Sequence, residues 1–140
     1  MQELPYGLDV AIPSDIQYIE GIVAQVSAHC ADRQFPPHLL SLNVPVALTE
    51  ALSNAILRGN REDRAKIVRV RARVDDVELV VEVADEGSGF DLEACTLDPT
   101  LADRLEAEDG RGLFLMRRLA HNVEQFLDGG NVVRLTVRRT

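Results

Sequence analysis

Apolar residues near the start of the chain recur first at strand spacing and then at helix spacing. The loose alternation over 8–12, stopped by Pro13, predicts a short first strand. Ser14 suits an N-cap and Gln17 completes a capping box, so a first helix is predicted over about 14–31. Its apolar stripe consists of Ile16, Ile19, Val23, Val26 and Cys30.

A second amphipathic helix is predicted between Asn43 and Gly59. Asn43 before Pro45 suits a cap followed by proline in the first turn, and Gly59 suits a stop at the other end. The apolar stripe of this helix consists of Leu48, Ala51, Leu52, Ala55 and Ile56. One face of the helix is therefore expected to pack on a core.

Strict alternation over 68–83, with a turn at Asp75-Asp76, predicts a two-stranded ribbon with one apolar face. The apolar positions are Val68, Val70, Ala72, Val74, Val77, Leu79, Val81 and Val83. On the other face, Arg69, Arg71 and Arg73 stand opposite Glu78 and Glu82. We interpret this face as a solvated set of cross-strand charge pairs rather than a binding patch.

The periodicity disappears from Asp85 to Asp109 and returns in a last helix and a closing hairpin. The helix is predicted to begin directly after Gly110-Arg111-Gly112, and the hairpin joins 123–127 to 133–137. Roughly five strands and three helices result. This inventory predicts an α+β fold, a two-layer α/β sandwich with helices packed on a mostly antiparallel sheet.

Composition adds one feature, an uneven charge. With 140 residues, 46% of them hydrophobic, the chain fits a single domain over 1–140. The formal charge of −8 has the wrong sign for following a phosphate backbone, which disfavours a direct nucleic-acid partner. The acidity is concentrated in 75–109, where 13 acidic residues accompany one basic residue, Arg104.

The scarcity of lysine and cysteine excludes several kinds of site. Lys66 is the single lysine and follows no glycine-rich loop, which excludes a P-loop and the protein-kinase lysine. Cys30 and Cys95 fit no zinc spacing and are expected to be reduced. We find no leader sequence and no apolar run approaching about 20 residues. The sequence thus predicts a cytoplasmic protein without a membrane partner.

Glu50 and Asn54 form the first of three candidate features. Four residues apart on the predicted second helix, they lie one turn apart on the same face, where a carboxylate and an amide can point at one ligand. Such a pair on an exposed helix is, by itself, usually only solvated.

Two glycine-containing segments are the other candidate features. Asp85, Gly87, Gly89 and Phe90 follow a strand, where the glycines permit close approach of a flat or anionic ligand; the alternative is a simple turn. Gly110-Arg111-Gly112-Leu113 opens a helix, where backbone N–H groups and the arginine favour a phosphate. The alternative there is a plain loop-to-helix junction.

The order of these features resembles a known family more specifically than any one of them. The chain resembles the Bergerat nucleotide-binding fold of the GHKL ATPases in the order of its features. These are a helix with E-x-x-x-N, two strands, D-x-G-x-G-F, a long loop, and G-x-G-L opening a helix. The compact length and the run ALTEALSNAILRGN resemble the bacterial anti-sigma factor serine/threonine-protein kinases. The resemblance covers about residues 8–138.

The resemblance implies a role for each matched residue. Glu50 corresponds to the acidic catalytic residue that polarises the attacking hydroxyl or water, and Asn54 to the amide that holds Mg²⁺ bridging the phosphates of ATP. Asp85 corresponds to the aspartate that accepts the adenine amino group. The other implied nucleotide-binding residues are Gly87, Gly89, Phe90, Gly110, Arg111, Gly112 and Leu113. Residues 91–109 correspond to the ATP lid, whose acidity predicts mobility without nucleotide.

The resemblance also implies partners. The expected substrate is a STAS-type anti-sigma factor antagonist, the expected second partner is a sigma factor or comparable response regulator, and a homodimer is implied. Arg58 stands where family members often carry His, so an ATP-binding interaction module without phosphoryl transfer stays an alternative. A histidine kinase is disfavoured because His29, His38 and His121 are scattered, and a gyrase-like or mismatch-repair ATPase is disfavoured by the short length.

Overall fold

The computed structural model describes residues 7–87 and 108–140, and for 108–113 the backbone alone. The strands are β1 (Leu8–Pro13), β2 (Ile67–Val74), β3 (Glu78–Asp85), β4 (Asn122–Leu127) and β5 (Asn131–Arg138). The helices are α1 (Ile19–Asp32), α2 (Val44–Asn54) and α3 (Glu108–Leu119). The strands form one sheet in the order β1-β2-β3-β5-β4, and its four pairings are antiparallel.

The helices cover one face of this sheet, and the core lies between the two layers. Alternate residues of each strand face the helices, as with Val70 of β2, which pairs with Val83 of β3. In the helical layer Leu48, Leu52 and Ile56 are almost fully buried, which confirms the apolar stripe of the second helix. The α+β sandwich predicted from periodicity is confirmed.

The start of the first helix differs from its prediction. Asp15, not Ser14, is the cap: its Oδ1 accepts the N–H of Gln17 at 3.0 Å, and a 3₁₀ turn, Ile16–Tyr18, precedes α1. Because this turn is wound more tightly than an α-helix, Ile16 is 55% exposed instead of buried. Ser14 is buried, and its Oγ donates to the Lys66 carbonyl at 2.7 Å.

Asn43 does not cap the second helix. A π-helical segment, Leu39–Asn43, leads directly into α2, and another, Ala55–Gly59, follows it. The backbone of Asn43 is helical, and its Nδ2 donates to the Leu119 carbonyl at 3.0 Å, which ties α2 to the end of α3. The sequence suggested a helix boundary where tertiary contacts continue the helix.

This continuous helix corrects the expectation about apolar runs. Leu39–Gly59 spans 21 residues and is, by length and composition alone, apolar enough to cross a membrane. Half of its apolar window is buried inside the fold, which is typical of the core helix of a globular domain. We therefore interpret it as a core helix.

The outer face of the sheet is only in part the solvated set of cross-strand charge pairs that alternation predicts: Arg69 of β2 pairs with Asp9 of β1 in an exposed salt bridge, whereas Glu82 is buried. The pairing of Arg71 with Glu82 across β2 and β3 is confirmed, with Nη2 and Oε1 at 2.9 Å. Arg134 of β5 binds the other oxygen of Glu82 at 2.7 Å and lies over the ring of Phe126, 4.8 Å from its centroid. Glu82 is 4% exposed, so its carboxylate is buried between arginines from both neighbouring strands.

Two further boundaries move by a few residues. β3 begins at Glu78, because the carboxylate of Asp75 accepts the N–H groups of Val77 and Glu78 and closes a turn that leaves Val77 65% exposed. α3 begins at Glu108, two residues before Gly110, instead of after Gly112. Glycine costs about 1 kcal/mol within a helix, and packing of α3 beside α2 offsets this cost.

Cys30 lies in the core, and the three histidines lie on the surface. Cys30 is free and fully buried, and burial raises the pKa of its thiol to about 12, so it is a core residue. Cys95 lies outside the described residues. His29, His38 and His121 are exposed, as expected for surface residues, and Nδ1 of His121 accepts the N–H of Arg138 at 3.0 Å.

Candidate functional site

The helix α2 carries Glu50 and Asn54 one turn apart, as its sequence spacing predicts. Glu50 is half-buried, whereas Asn54 is 6% exposed. The Nδ2 atom of Asn54 has no hydrogen-bond partner among the described residues. Since a buried amide left without a partner is costly, this group is expected to meet a ligand.

Asn54 fits the implied magnesium ion. Mg²⁺ usually keeps several waters and takes one or two protein oxygens together with the phosphates of its substrate. Within 7–87 and 108–140 no group of three or more His, Cys, Asp or Glu side chains could hold a metal ion on its own. A magnesium ion here would be held jointly by nucleotide and protein, with the amide oxygen of Asn54 as the protein's ligand. The unpartnered Nδ2 of the same amide is a donor and could meet a phosphate oxygen.

A π-helical segment follows Asn54 and brings the end of this helix into contact with the end of β3. Ala55–Gly59 continues α2 with a widened turn, in which the N–H of Asn60 donates to the Ala55 carbonyl at 2.9 Å. Such segments are frequent at functional sites because they displace the following residues from the helix path. Here the segment places Gly59 against Asp85.

Asp85 ends β3 with its carboxylate buried. The residue is 4% exposed; Oδ1 accepts the N–H of Gly87 at 2.8 Å, and Oδ2 accepts Nδ2 of Asn131 at 3.2 Å. Burial raises the pKa of the Asp85 carboxyl, and those hydrogen bonds and the charge of Lys66 oppose that rise. A carboxylate buried with neutral partners is typical of a ligand-binding site.

Backbone from three parts of the chain converges on Asp85, and glycine permits it at each. A Cβ at Gly59 would collide with the Asp85 carboxylate, and a Cβ at Gly130 would collide with the Asp85 carbonyl oxygen. A Cβ at Gly87 would meet the Gly59 carbonyl oxygen. The sequence assigned Gly87 to the site but indicated only a helix stop at Gly59, and Gly130 lies between the two predicted strands of the closing hairpin.

Sequence reasoning also missed two buried asparagines. Asn60 is 1% exposed and its Oδ1 accepts the N–H of Glu86 at 2.7 Å; Asn131 is fully buried and binds Asp85. Each follows a glycine, Asn60 at the end of the π-helical segment and Asn131 at the start of β5, and a Gly-Asn pair ordinarily indicates a turn. The only sequence signal was the repeated Gly-Asn pair, which becomes informative once both pairs are seen to meet at Asp85.

The remaining predicted residues are described only in part. Gly89 and Phe90 lie outside the described residues, and so does the implied lid, 91–109, apart from its last two residues, which begin α3. Gly110, Arg111, Gly112 and Leu113 lie in the first turns of α3, a helix that packs as a whole against α2. Glu50, Asn54, Asp85 and Gly87 are thus placed by the structure, and their proposed ligands remain predictions.

The family described as the histidine kinase-like ATPase domain matches residues 12–137, which include every predicted site residue. The serine-protein kinase RsbW of Bacillus subtilis is 28% identical over 134 residues, 92% of this chain and 83% of that protein.

Two anti-sigma F factors are also similar. The protein of Caldanaerobacter subterraneus subsp. tengcongensis is 31% identical over 97 residues, 67% of each chain. The protein of Clostridium acetobutylicum is 29% identical over 98 residues, 69% of this chain and 68% of that protein.

Proposed function

The chain belongs to the histidine kinase-like ATPase family, among the anti-sigma kinases, and on that basis we propose that it is an ATP-dependent serine/threonine-protein kinase. Its proposed substrate is a STAS-type anti-sigma factor antagonist, and it also sequesters a sigma factor or comparable response regulator. It acts in the cytoplasm as a homodimer. The observation that carries this proposal is the buried carboxylate of Asp85, held against the end of the helix that bears Glu50 and Asn54.

Asp85 is the proposed adenine acceptor. Its ionised carboxylate can accept the exocyclic amino group of adenine, and a hydrogen bond to a charged group contributes about 1.5–3 kcal/mol. Guanine presents a carbonyl oxygen at the equivalent ring position and would meet the carboxylate as a second acceptor. Asp85 therefore selects ATP over GTP.

The phosphate half of the site is proposed to use α2 and α3. Asn54 holds Mg²⁺, which supplies charge neutralisation on the phosphates when bound. The backbone N–H groups at the start of α3, with Arg111, favour the phosphates, and Gly110 and Gly112 keep that backbone accessible. Glu50 orients and polarises the serine or threonine hydroxyl of the antagonist.

The output of the reaction is proposed to be release of the antagonist. A phosphate adds about −1.5 to −2 charges at neutral pH. The acidic segment 75–109 of the kinase would repel this charge, so the phosphorylated antagonist would dissociate and the kinase would be free to hold its second partner.

The test is transfer of labelled phosphate from ATP to a candidate antagonist in the presence of Mg²⁺. Label on serine or threonine is expected with the unmodified protein, and Glu50→Ala should abolish it while ATP still binds. Glu20→Ala, which removes an exposed glutamate from α1, serves as the control and should transfer normally. Transfer that survives Glu50→Ala would contradict the role of Glu50.

A second candidate function is a nucleotide-dependent interaction module without phosphoryl transfer, and Arg58 is the residue that favours it. Arg58 is the second-last residue of the π-helical segment, directly before Gly59, at a position where family members often carry histidine. Calorimetry with ATP and Mg²⁺ separates the two functions: binding without transfer to any antagonist favours the module, and absence of binding contradicts both. Arg58→His should raise transfer if arginine is what limits it.

A further inference from the structure

We propose that Asn60 is the positioning residue on which adenine selectivity depends, through the turn that follows Asp85. The inference rests on the proposed function, because it assumes that Asp85 receives the adenine base. Asn60 is the last residue of the run ALTEALSNAILRGN, has no role assigned to it by the family resemblance, and directly follows the π-helical segment Ala55–Gly59.

The Asn60 side chain connects three strands. Its Nδ2 donates to Ser14 Oγ and to the Ile67 carbonyl oxygen, each at 2.9 Å, and its Oδ1 accepts the N–H of Glu86 at 2.7 Å. Ser14 follows β1, Ile67 begins β2, and Glu86 follows β3. All three contacts are made by a side chain in a residue that is 1% exposed, so water does not compete for them.

The contact with Glu86 is the one that bears on the site. The N–H of Glu86 belongs to the same peptide unit as the Asp85 carbonyl, so holding it fixes the plane of that peptide. The Glu86 carboxylate is held as well, since its Oε2 accepts the N–H of Ile67 at 2.6 Å. With Gly130 packed on the Asp85 carbonyl, the backbone that presents the Asp85 carboxylate has little freedom to turn.

Asparagine suits this position because the position needs donors and an acceptor at once. Alanine provides neither, whereas aspartate has nearly the same shape and retains the acceptor for Glu86 while losing the donors to Ser14 and Ile67. The two substitutions therefore separate the contact with the adenine turn from the contacts with the rest of the sheet.

The experiment measures binding of ATP and GTP, with Mg²⁺, to the full chain and three variants. Asn60→Ala should weaken ATP binding and lower the ATP-to-GTP affinity ratio about tenfold, equivalent to about 1.4 kcal/mol. Asn60→Asp should keep most of that ratio, although it should unfold at lower temperature. In kinase assays Asn60→Ala should raise the KM for ATP, with kcat at saturating ATP unchanged.

Ser14→Ala is the matched control. It removes a buried hydrogen bond to Asn60 but leaves Glu86 held, so it should lower stability without changing the ATP-to-GTP ratio. A ratio that falls equally in Ser14→Ala and Asn60→Ala, or stays at the unmodified value in both, would overturn the proposal.

A second measurement covers the case in which Asn60→Ala does not fold. Hydrogen exchange of the Glu86 amide in the unmodified protein should be slow, because that amide is hydrogen-bonded within the fold. Rapid exchange at Glu86 in the folded protein would overturn the proposal. If the unmodified protein binds neither nucleotide, the proposed function fails and the inference with it; if it prefers ATP and Asn60→Ala keeps that preference, only the inference fails.

Discussion

Two carboxylates on β3, Glu82 and Asp85, are equally buried, at 4% exposure, but on opposite faces of the sheet. Glu82 lies on the outer face between Arg71 and Arg134, whose side chains are 33% and 36% exposed. Asp85 lies on the helix-covered face, where its hydrogen-bond partners are the Gly87 N–H and the Asn131 amide. One buried charge is matched by opposite charges and the other by neutral groups.

This difference indicates that Glu82 has a structural role and that Asp85, on the same strand, is the carboxylate suited to bind a ligand. The arginines neutralise Glu82 and leave its oxygens little capacity for another ligand. Among the described residues no opposite charge contacts Asp85, whose carboxylate is held by the Gly87 N–H and the Asn131 amide, and burial raises the pKa of its carboxyl. A protein that stabilises the position of a carboxylate without neutralising its charge leaves that charge for a ligand.

Amide substitution at Asp85 should give the largest effect. Asp85→Asn keeps the shape and removes the charge, so the affinity for ATP should fall about tenfold to a hundredfold, as expected for a hydrogen bond to a charged group. Its free energy of unfolding at pH 7 should be no lower than that of the unmodified protein, because a buried charge has been removed. Calorimetry and denaturant unfolding measure the two quantities. Unchanged ATP affinity would remove Asp85 from the site.

The corresponding amide substitution at Glu82 should lower stability and leave ATP affinity unchanged. Glu82→Gln leaves two arginines without their carboxylate, which should lower the free energy of unfolding by about 1–3 kcal/mol; the arginines' partial access to water limits the loss. ATP affinity should not change. A variant that loses ATP binding while remaining folded would break the comparison, because it would place the outer face in the nucleotide site.

Gly59→Ala tests whether packing positions Asp85. The added Cβ would collide with the carboxylate, so the variant should lose ATP affinity and about 1–3 kcal/mol of stability, the usual cost of overpacking. Gly21→Ala is the control, since a Cβ there, on the exposed side of α1, meets nothing within 4 Å. It should stabilise the protein by up to about 1 kcal/mol through helix propensity. Equal behaviour of the two variants would contradict the close packing at Asp85.

The smallest effect concerns pH. Because the folded-state pKa of Asp85 is raised, the stability that its proton contributes is present below the unfolded pKa, about 3.9, and is lost as pH rises through the folded pKa. Asp9, whose pKa is lowered by its hydrogen bond with Arg69, changes the stability with pH in the opposite sense. Its contribution is the same in the unmodified protein and in Asp85→Asn, so it cancels in their difference. The stability of the unmodified protein relative to Asp85→Asn should therefore fall with rising pH in this window. Urea unfolding across acidic pH measures it, and a flat difference would show that the raised pKa is wrong.

The periodic segments were predictable because their apolar spacing is a local property. The stripe of α2, the β2–β3 ribbon and the closing hairpin all follow from residues close in sequence. The errors occurred where a residue's partner is distant. Asn43 looked like a helix cap, but its amide binds Leu119, 76 residues away. Ser14 looked like one too, but it bonds the Lys66 carbonyl, 52 residues away.

The candidate site likewise contains residues that could be paired from local spacing and contacts that could not be predicted because they join distant residues. Glu50 and Asn54 could be paired from sequence, because a helix repeats every 3.6 residues and places them on one face. The contacts that hold Asp85 and its turn could not, since Asn60 and Glu86 are 26 residues apart and Asn131 and Asp85 are 46 apart.

By itself the sequence determined the type and order of the main elements, the buried face of α2 and of the β2–β3 ribbon, and the residue types available for nucleotide chemistry. Only the tertiary structure decided which buried carboxylate has no opposite charge in contact among the side chains of 7–87 and 114–140. That outcome depends on the register of β3 between β2 and β5 and on the close approach of Gly59 and Gly130. Register and close approach are set by packing among segments distant in the chain, and such packing has no local signature in the sequence.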